Sequence, residues 1–154
     1  MSFLIHSISN SNVVPMEYYP CATKAVVGTP MIFAEGALIE YGIGATLEDT
    51  SGIPIYISMG VKTTRETAGD AADVTVRIPV IRVRDDIIFE AASKNGGLVA
   101  GDKVDISATS NGDGAATAFS YTVEKGDTAS AQFEVIEVNN TGSTAQKVLI
   151  RYIG

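Results

Sequence analysis

The sequence predicts an all-β fold, a compact barrel or sandwich of short antiparallel strands preceded by an extended N-terminal arm. Three observations carry this. Apolar and polar residues alternate with period two over Val74–Val80 and again over Ile53–Ile57, which marks strands with one buried face. Turn formers recur every 8–12 residues or so, the spacing of small sandwiches and barrels. No stretch sustains a helical period over the length a globular helix needs.

At 154 residues the chain is one domain by size, with a core to bury. Hydrophobic residues make up 45% of it, too many for a disordered chain. Charged residues are 19%, below the ~25% usual in soluble domains, so a partner is expected to cover part of the surface. The net charge of −7 and the lack of a basic run exclude a nucleic-acid partner. No apolar run approaches the ~20 residues that span a bilayer, so no membrane partner is expected. The N-terminus lacks a signal-peptide pattern, and one cysteine allows no internal disulfide. A cytosolic bacterial or viral product is the expectation.

In chain order, residues 1–22 read as an arm and 23–154 as a single β domain. Turn formers at 9–12 and prolines at 15 and 20 block regular pairing in the arm. Yet Phe3, Leu4, Ile5, Val13, Val14, Met16, Tyr18 and Tyr19 interleave with them. The arm therefore packs either on its own barrel or on another chain. Short strands follow at 24–27, 31–34 and 37–41, with Glu35-Gly36 as a turn between the last two. Pro54, opposite in phase to Ile53, Ile55 and Ile57, marks an edge strand. Residues 61–73 are small and polar, the expected loop.

In the central stretch the apolar phase slips at Val80-Ile81, which predicts two strands or one bulged strand breaking at Pro79. Three of the five arginines lie here, Arg77, Arg82 and Arg84. They form a positive strip that is either a solvated strand face or a docking strip. Residues 87–93 could be a short helix capped by Asp85-Asp86, but Ile87-Ile88 and the neighbouring strands favour extension. Asn111-Gly112 predicts a type I′ hairpin turn. Strands at 119–123, 133–138 and 148–153 complete two or three hairpins.

No catalytic or metal-binding set emerges, and no cofactor is expected. His6, the one histidine, has Ile5 and Ser7 as neighbours and reads as packed or solvated. Cys21 has no activating histidine in evidence and reads as a buried small residue. Asn111-Gly-Asp113-Gly lacks the further acidic ligands of a calcium loop, so a turn explains it better. Asp85 and Asp86, adjacent on a strand, would face opposite ways. Gly42-Ile-Gly44 lacks the context of a phosphate loop, and no nucleophile elbow occurs.

The layout resembles a family. Glu35-Gly-Ala-Leu38, Gly42-Ile-Gly-Ala45, Ile78-Pro-Val80, Ala100-Gly-Asp-Lys-Val104, Phe133-Glu-Val-Ile-Glu-Val138 and Lys147-Val-Leu-Ile-Arg-Tyr152 are similar to the head decoration (cement) proteins of tailed bacteriophages and prophages. There a Gly-Asp-x-Val turn and a closing strand frame the end of a compact barrel. The likeness covers most of residues 30–154 in layout and few positions in letters, and the loop 61–73 and the arginine strip depart from it. It implies a non-enzymatic virion protein, made in the bacterial cytoplasm, that binds the major capsid protein on the outer head surface as a homotrimer. Its interface would use Phe3, Leu4, Ile5, Val13, Val14, Met16, Tyr18, Arg77, Arg82 and Arg84. The alternatives are a tail or baseplate component, or a small ligand-binding β domain with exposed aromatics on one face.

Overall fold

The computed structural model describes residues 3–8, 16–43, 53–62, 76–112, 114–126, 131–139 and 146–154. Among them there is no helix, and eleven strands form two antiparallel sheets with no closed barrel. The chain divides into two compact units. One draws on Met1–Val13, Arg84–Ala108 and Tyr121–Gly154, the other on Val14–Val83 and Thr109–Ser120.

The first unit is built on the six-stranded sheet. The sheet's strands are β1 (Leu4–Ile8), β7 (Ile87–Ala92), β8 (Lys103–Ser110), β9 (Phe119–Lys125), β10 (Phe133–Val138) and β11 (Lys147–Tyr152), in the order β1-β7-β11-β10-β8-β9, with residues 109–110 and 119–120, at the ends of β8 and β9, belonging to the second unit. Alternation sets the faces. Phe89 lies opposite Ile5 and Ile150, and Phe133 opposite Tyr152 and Val104, so one face is apolar and buried. On the other face Lys147 pairs with Glu90, while Lys103 and Arg151 flank Glu134. Residues 87–92 are extended, because β7 lies between β1 and β11 and its alternate side chains complete the apolar face.

Two buried glutamines extend this sheet beyond its ladders. The Gln146 side-chain amide accepts from the Leu98 N–H and donates to the Leu98 carbonyl, each at 3.1 Å, which copies a backbone bridge. The Gln132 side chain accepts from the Ile106 N–H (3.2 Å), just where the β8–β10 pairing runs out. Buried amides are thereby satisfied without a further strand.

The second unit holds β2 (Glu17–Pro20), β3 (Pro30–Ala34), β4 (Ala37–Glu40), β5 (Tyr56–Ser58) and β6 (Arg77–Arg82), ordered β2-β6-β5-β3-β4. The β3–β4 hairpin turns through Glu35 (φ 52°) and Gly36 (φ 85°), both in the left-handed region a type I′ turn requires. After β2 the chain crosses to β4: Cys21 bridges Leu38, and the Ala22 N–H donates to the Leu38 carbonyl at 2.9 Å. The two outer strands thus meet through one bridge, over a core of Cys21, Ala25, Met31, Leu38, Tyr56, Ile78 and Val80.

Several expectations are corrected. The described parts of residues 1–22 are not an arm apart from the sheets, because β1 pairs with β7 and β2 with β6. The described strands of that segment pair within the chain's own sheets. β5 is a central strand, with Pro54 lying just before it. β6 runs unbroken through Pro79, and its pairing with β2 and β5 shows no register shift. The phase slip in the sequence arises because both faces of this central strand are buried, Ile78 and Val80 on one and Ile81 on the other. Asn111 pairs with Ala118 rather than opening a two-residue turn, and its φ is negative. Most of the 61–73 loop, the start of the central stretch (Val74, Thr75), Gly44 and Asp113 lie outside the described residues.

Candidate functional site

The interface residues expected from sequence do not gather in one place. Phe3 is only 1% exposed and packs its ring against Phe89 and Phe133, at centroid distances of 6.5 and 6.0 Å. It is a core residue, because the residue before β1 falls in phase with the buried face of the first unit. Leu4 is exposed and Ile5 half-buried on the same strand. Val13 and Val14 lie outside the described residues. His6 is exposed, at the register shift between Ile5 and Ser7 that blunts this edge strand.

The arginines do not form one strip. β6 is regular, so Arg77 and Arg82 fall on opposite faces: Arg77 lies across from Pro20, and Arg82 across from Tyr56. Arg84 lies beyond the strand and ion-pairs with Asp86 at 3.1 Å.

What the fold does bring together is Met16, Tyr18 and Arg77. Met16 (45% exposed) and Tyr18 (58%) share the alternation phase of the edge strand β2. Tyr18 faces Pro79 across the ladder, and the Arg77 guanidinium donates to the Tyr18 carbonyl at 3.3 Å. Methionine, tyrosine and arginine are the side chains enriched where proteins bind one another.

The opposite face of the same strands carries a second cluster. Tyr19, Phe33 and Tyr56 meet edge to face, with centroids 4.9–5.7 Å apart and interplanar angles of 75–86°. The Tyr19 hydroxyl donates to Glu17 Oε1 at 2.8 Å. That bond, with smaller contributions from burial and the Glu17 charge, holds the phenol above its usual pKa.

At the end of β4, Glu40 is 1% exposed, and its carboxylate accepts the N–H groups of Ala118 (3.0 Å) and Phe119 (2.9 Å). Beside it lies a groove of about 350 Å³, lined by Thr23, Lys24, Ile43 and Ala115 among others. The Lys24 ammonium donates to the Ala115 carbonyl at 2.9 Å. Lys62 is 2% exposed, with its ammonium donating to the Cys21 carbonyl. Cys21 donates its thiol to the Thr23 carbonyl (3.1 Å), and burial pushes that thiol's pKa up. These groups tie chain segments together: each carboxylate oxygen of Glu40 holds an amide, and the cysteine is kept as a thiol. Among the described residues no cluster of three or more His, Cys, Asp or Glu is placed to hold a metal.

Glu40 and Lys62 were missed as buried charges. Glu40 shares the period-two phase of Leu38, a signal that could have placed it inward. Lys62 opens a polar run and carries no such signal. No family model matches this chain, and neither the curated proteins nor the solved structures contain a match to it.

Proposed function

We propose that this chain is a non-enzymatic head decoration protein of a tailed phage or prophage, which docks on the major capsid protein through the Met16–Tyr18–Arg77 patch. The observation that carries the reading is Tyr18, exposed on an edge strand with Met16 in phase beside it and Arg77 bonded to its carbonyl. Burying such an anchor is worth on the order of 2 kcal/mol, which binding can use and folding does not. The resemblance of the turn-and-strand layout to the decoration family supports the choice of partner. A clamp that binds only the assembled lattice stabilises it by differential affinity. Three linked copies about a local three-fold axis would raise the effective concentration of each weak contact.

Deleting the N-terminal residues is a poor test, since it strips Phe3 from the core and β1 from its sheet. Tyr18→Ala is the cleaner variant. The purified protein, sized by light scattering, is mixed with expanded and unexpanded heads of the phage whose genome carries its gene. Trimers that bind only expanded heads, with affinity cut about tenfold or more by Tyr18→Ala, are the expected result. Absence of binding, equal binding to both head forms, or recovery of the protein with purified tails would overturn the proposal.

A further inference from the structure

We propose that Asn95-Gly96, in the turn that follows β7, is a site of spontaneous deamidation with the Ser93 hydroxyl as its brake, and that the conversion loosens the bridge covering the outer edge of β9. The site lies in the first unit and does not rest on the reading above.

Chemistry comes first. The chain has two Asn-Gly pairs, at 95–96 and 111–112. In such a pair the glycine nitrogen, with no Cβ beside it, can attack the carbonyl carbon of the asparagine side chain. Here a bond forms between the Gly96 nitrogen and Asn95 Cγ, and the bond from Cγ to the side-chain nitrogen breaks. The proton of the Gly96 amide leaves with that nitrogen as ammonia, and Cγ takes the place in the peptide plane that the hydrogen held. Water then opens the five-membered imide at either carbonyl, giving aspartate or isoaspartate. Water is the one co-reactant.

The fold separates the two pairs. Asn111 donates its side-chain N–H to the Thr117 carbonyl at 3.1 Å and accepts from the Ser120 hydroxyl. Both bonds must break before its carboxamide can reach the Gly112 nitrogen. Asn95 is exposed, and its side chain makes no hydrogen bond among the described residues. One restraint remains: the Gly96 N–H donates to Oγ of the buried Ser93 at 2.8 Å. Because Cγ must take the place of that hydrogen, the hydroxyl stands in the direction of attack and slows it. The consequence falls on the neighbouring strand. Ser93 bridges Val123, the Lys94 N–H donates to the Val123 carbonyl at 2.9 Å, and the Lys94 ammonium pairs with Glu124 at 3.4 Å. This bridge covers part of the outer edge of β9. Isoaspartate puts an extra carbon into the main chain directly after Lys94. Either product adds a carboxylate that competes with Glu124 for the ammonium.

The test is peptide mapping by mass spectrometry of the full chain aged in mildly alkaline buffer. Trypsin, cutting after Lys94, Lys103 and Lys125, places the two pairs in peptides 95–103 and 104–125. The one-dalton gain of deamidation is expected in 95–103 about fivefold faster or more, since one hydrogen bond rather than two must break. In urea the two rates should converge. Ser93→Ala should speed the reaction of the folded chain at 95–103 by about fivefold. Asn95→Gln should abolish it. Aged wild type should exchange the Lys94 amide hydrogen faster than fresh protein. Equal rates at the two pairs in the folded chain, or a first gain in 104–125, would overturn the site. A folded Ser93→Ala chain that ages at the wild-type rate would overturn the brake, and unchanged Lys94 exchange after conversion would overturn the loosening. If Ser93→Ala does not fold, the comparison of folded with urea-unfolded wild type still decides the site.

Discussion

Glu40 holds Phe119 by its backbone: one carboxylate oxygen accepts the Phe119 amide at 2.9 Å while the other takes the amide of Ala118. The loop after β8 is thereby tied to β4 by a charge that is itself almost wholly buried. Charge-assisted hydrogen bonds are about twice as strong as neutral ones, and removing a buried acceptor strands its donors. Glu40→Ala should cost about 3 kcal/mol or more in urea unfolding. Glu40→Gln keeps one acceptor but turns an NH₂ toward the second amide, so a cost of about 2 kcal/mol is expected. Faster hydrogen exchange at Ala118 and Phe119 would identify the broken tie. Unchanged stability in both variants would show that it contributes nothing.

A steric relationship explains how proline sits in a central strand. Pro79 turns its carbonyl to the Met59 amide at 2.8 Å, so its missing N–H also points toward the end of β5. Gly60 fills that place, and a Cβ on it would lie 2.7 Å from Pro79 Cδ. Gly60→Ala should destabilise by about 1–3 kcal/mol, the usual cost of overpacking. Pro79→Ala removes the obstructing ring, so the double variant should recover much of that loss. A double-mutant cycle measures the coupling, and additive losses would refute the contact.

Strand existence was legible because the side-chain period is a local property of the chain. Residues 119–125, 133–138 and 147–152 are strands where alternation and turn formers predicted them, and 87–92 are extended, as the β-branched pair Ile87-Ile88 favoured over a helix. Strand position was not legible. Pro54 and Pro79 suggested an edge and a break, yet β5 and β6 are central, because the glycine that accommodates Pro79 lies nineteen residues away in sequence. The same limit applied to the arginines. Whether Arg77 and Arg82 share a face depends on the presence of a bulge, which only pairing partners determine. Phe3 looked like an arm residue because prolines and turn formers surround that segment, and its core position depends on the pairing of β1 with the distant β7.

Cys21 makes stability depend on alkaline pH. Burial, its largest influence, raises the thiol's pKa in the folded chain above the unfolded value of about 8.5–9. The folded state therefore holds its proton to higher pH than the unfolded state does. This contribution is complete below the unfolded value, and it is lost as pH rises through the folded one. The stability difference between wild type and Cys21→Ala should shrink as pH rises above about 9. Using the difference cancels the titration of tyrosines and lysines common to both chains. A difference independent of pH up to 10.5 or so would contradict the burial account.

Arg77 guards an open edge. Because Tyr18 lies opposite Pro79, whose carbonyl turns to β5, the Tyr18 backbone groups point away from β6 toward the free side of β2. Two features blunt that side: Pro20 has no N–H to offer, and Arg77 occupies the Tyr18 carbonyl. Proteins commonly protect edge strands with proline and charge, since an unpaired edge is a template for another strand. Arg77 is exposed, so Arg77→Ala should change folding stability by no more than about 0.5 kcal/mol. It should nevertheless raise self-association, read as growth in scattering mass at high protein concentration. Arg77→Lys, which keeps the charge and a donor, should stay nearer wild type. If Arg77→Ala remains as dispersed as wild type at every concentration, the guanidinium has no protective role and the β2 edge is blunted by Pro20 alone.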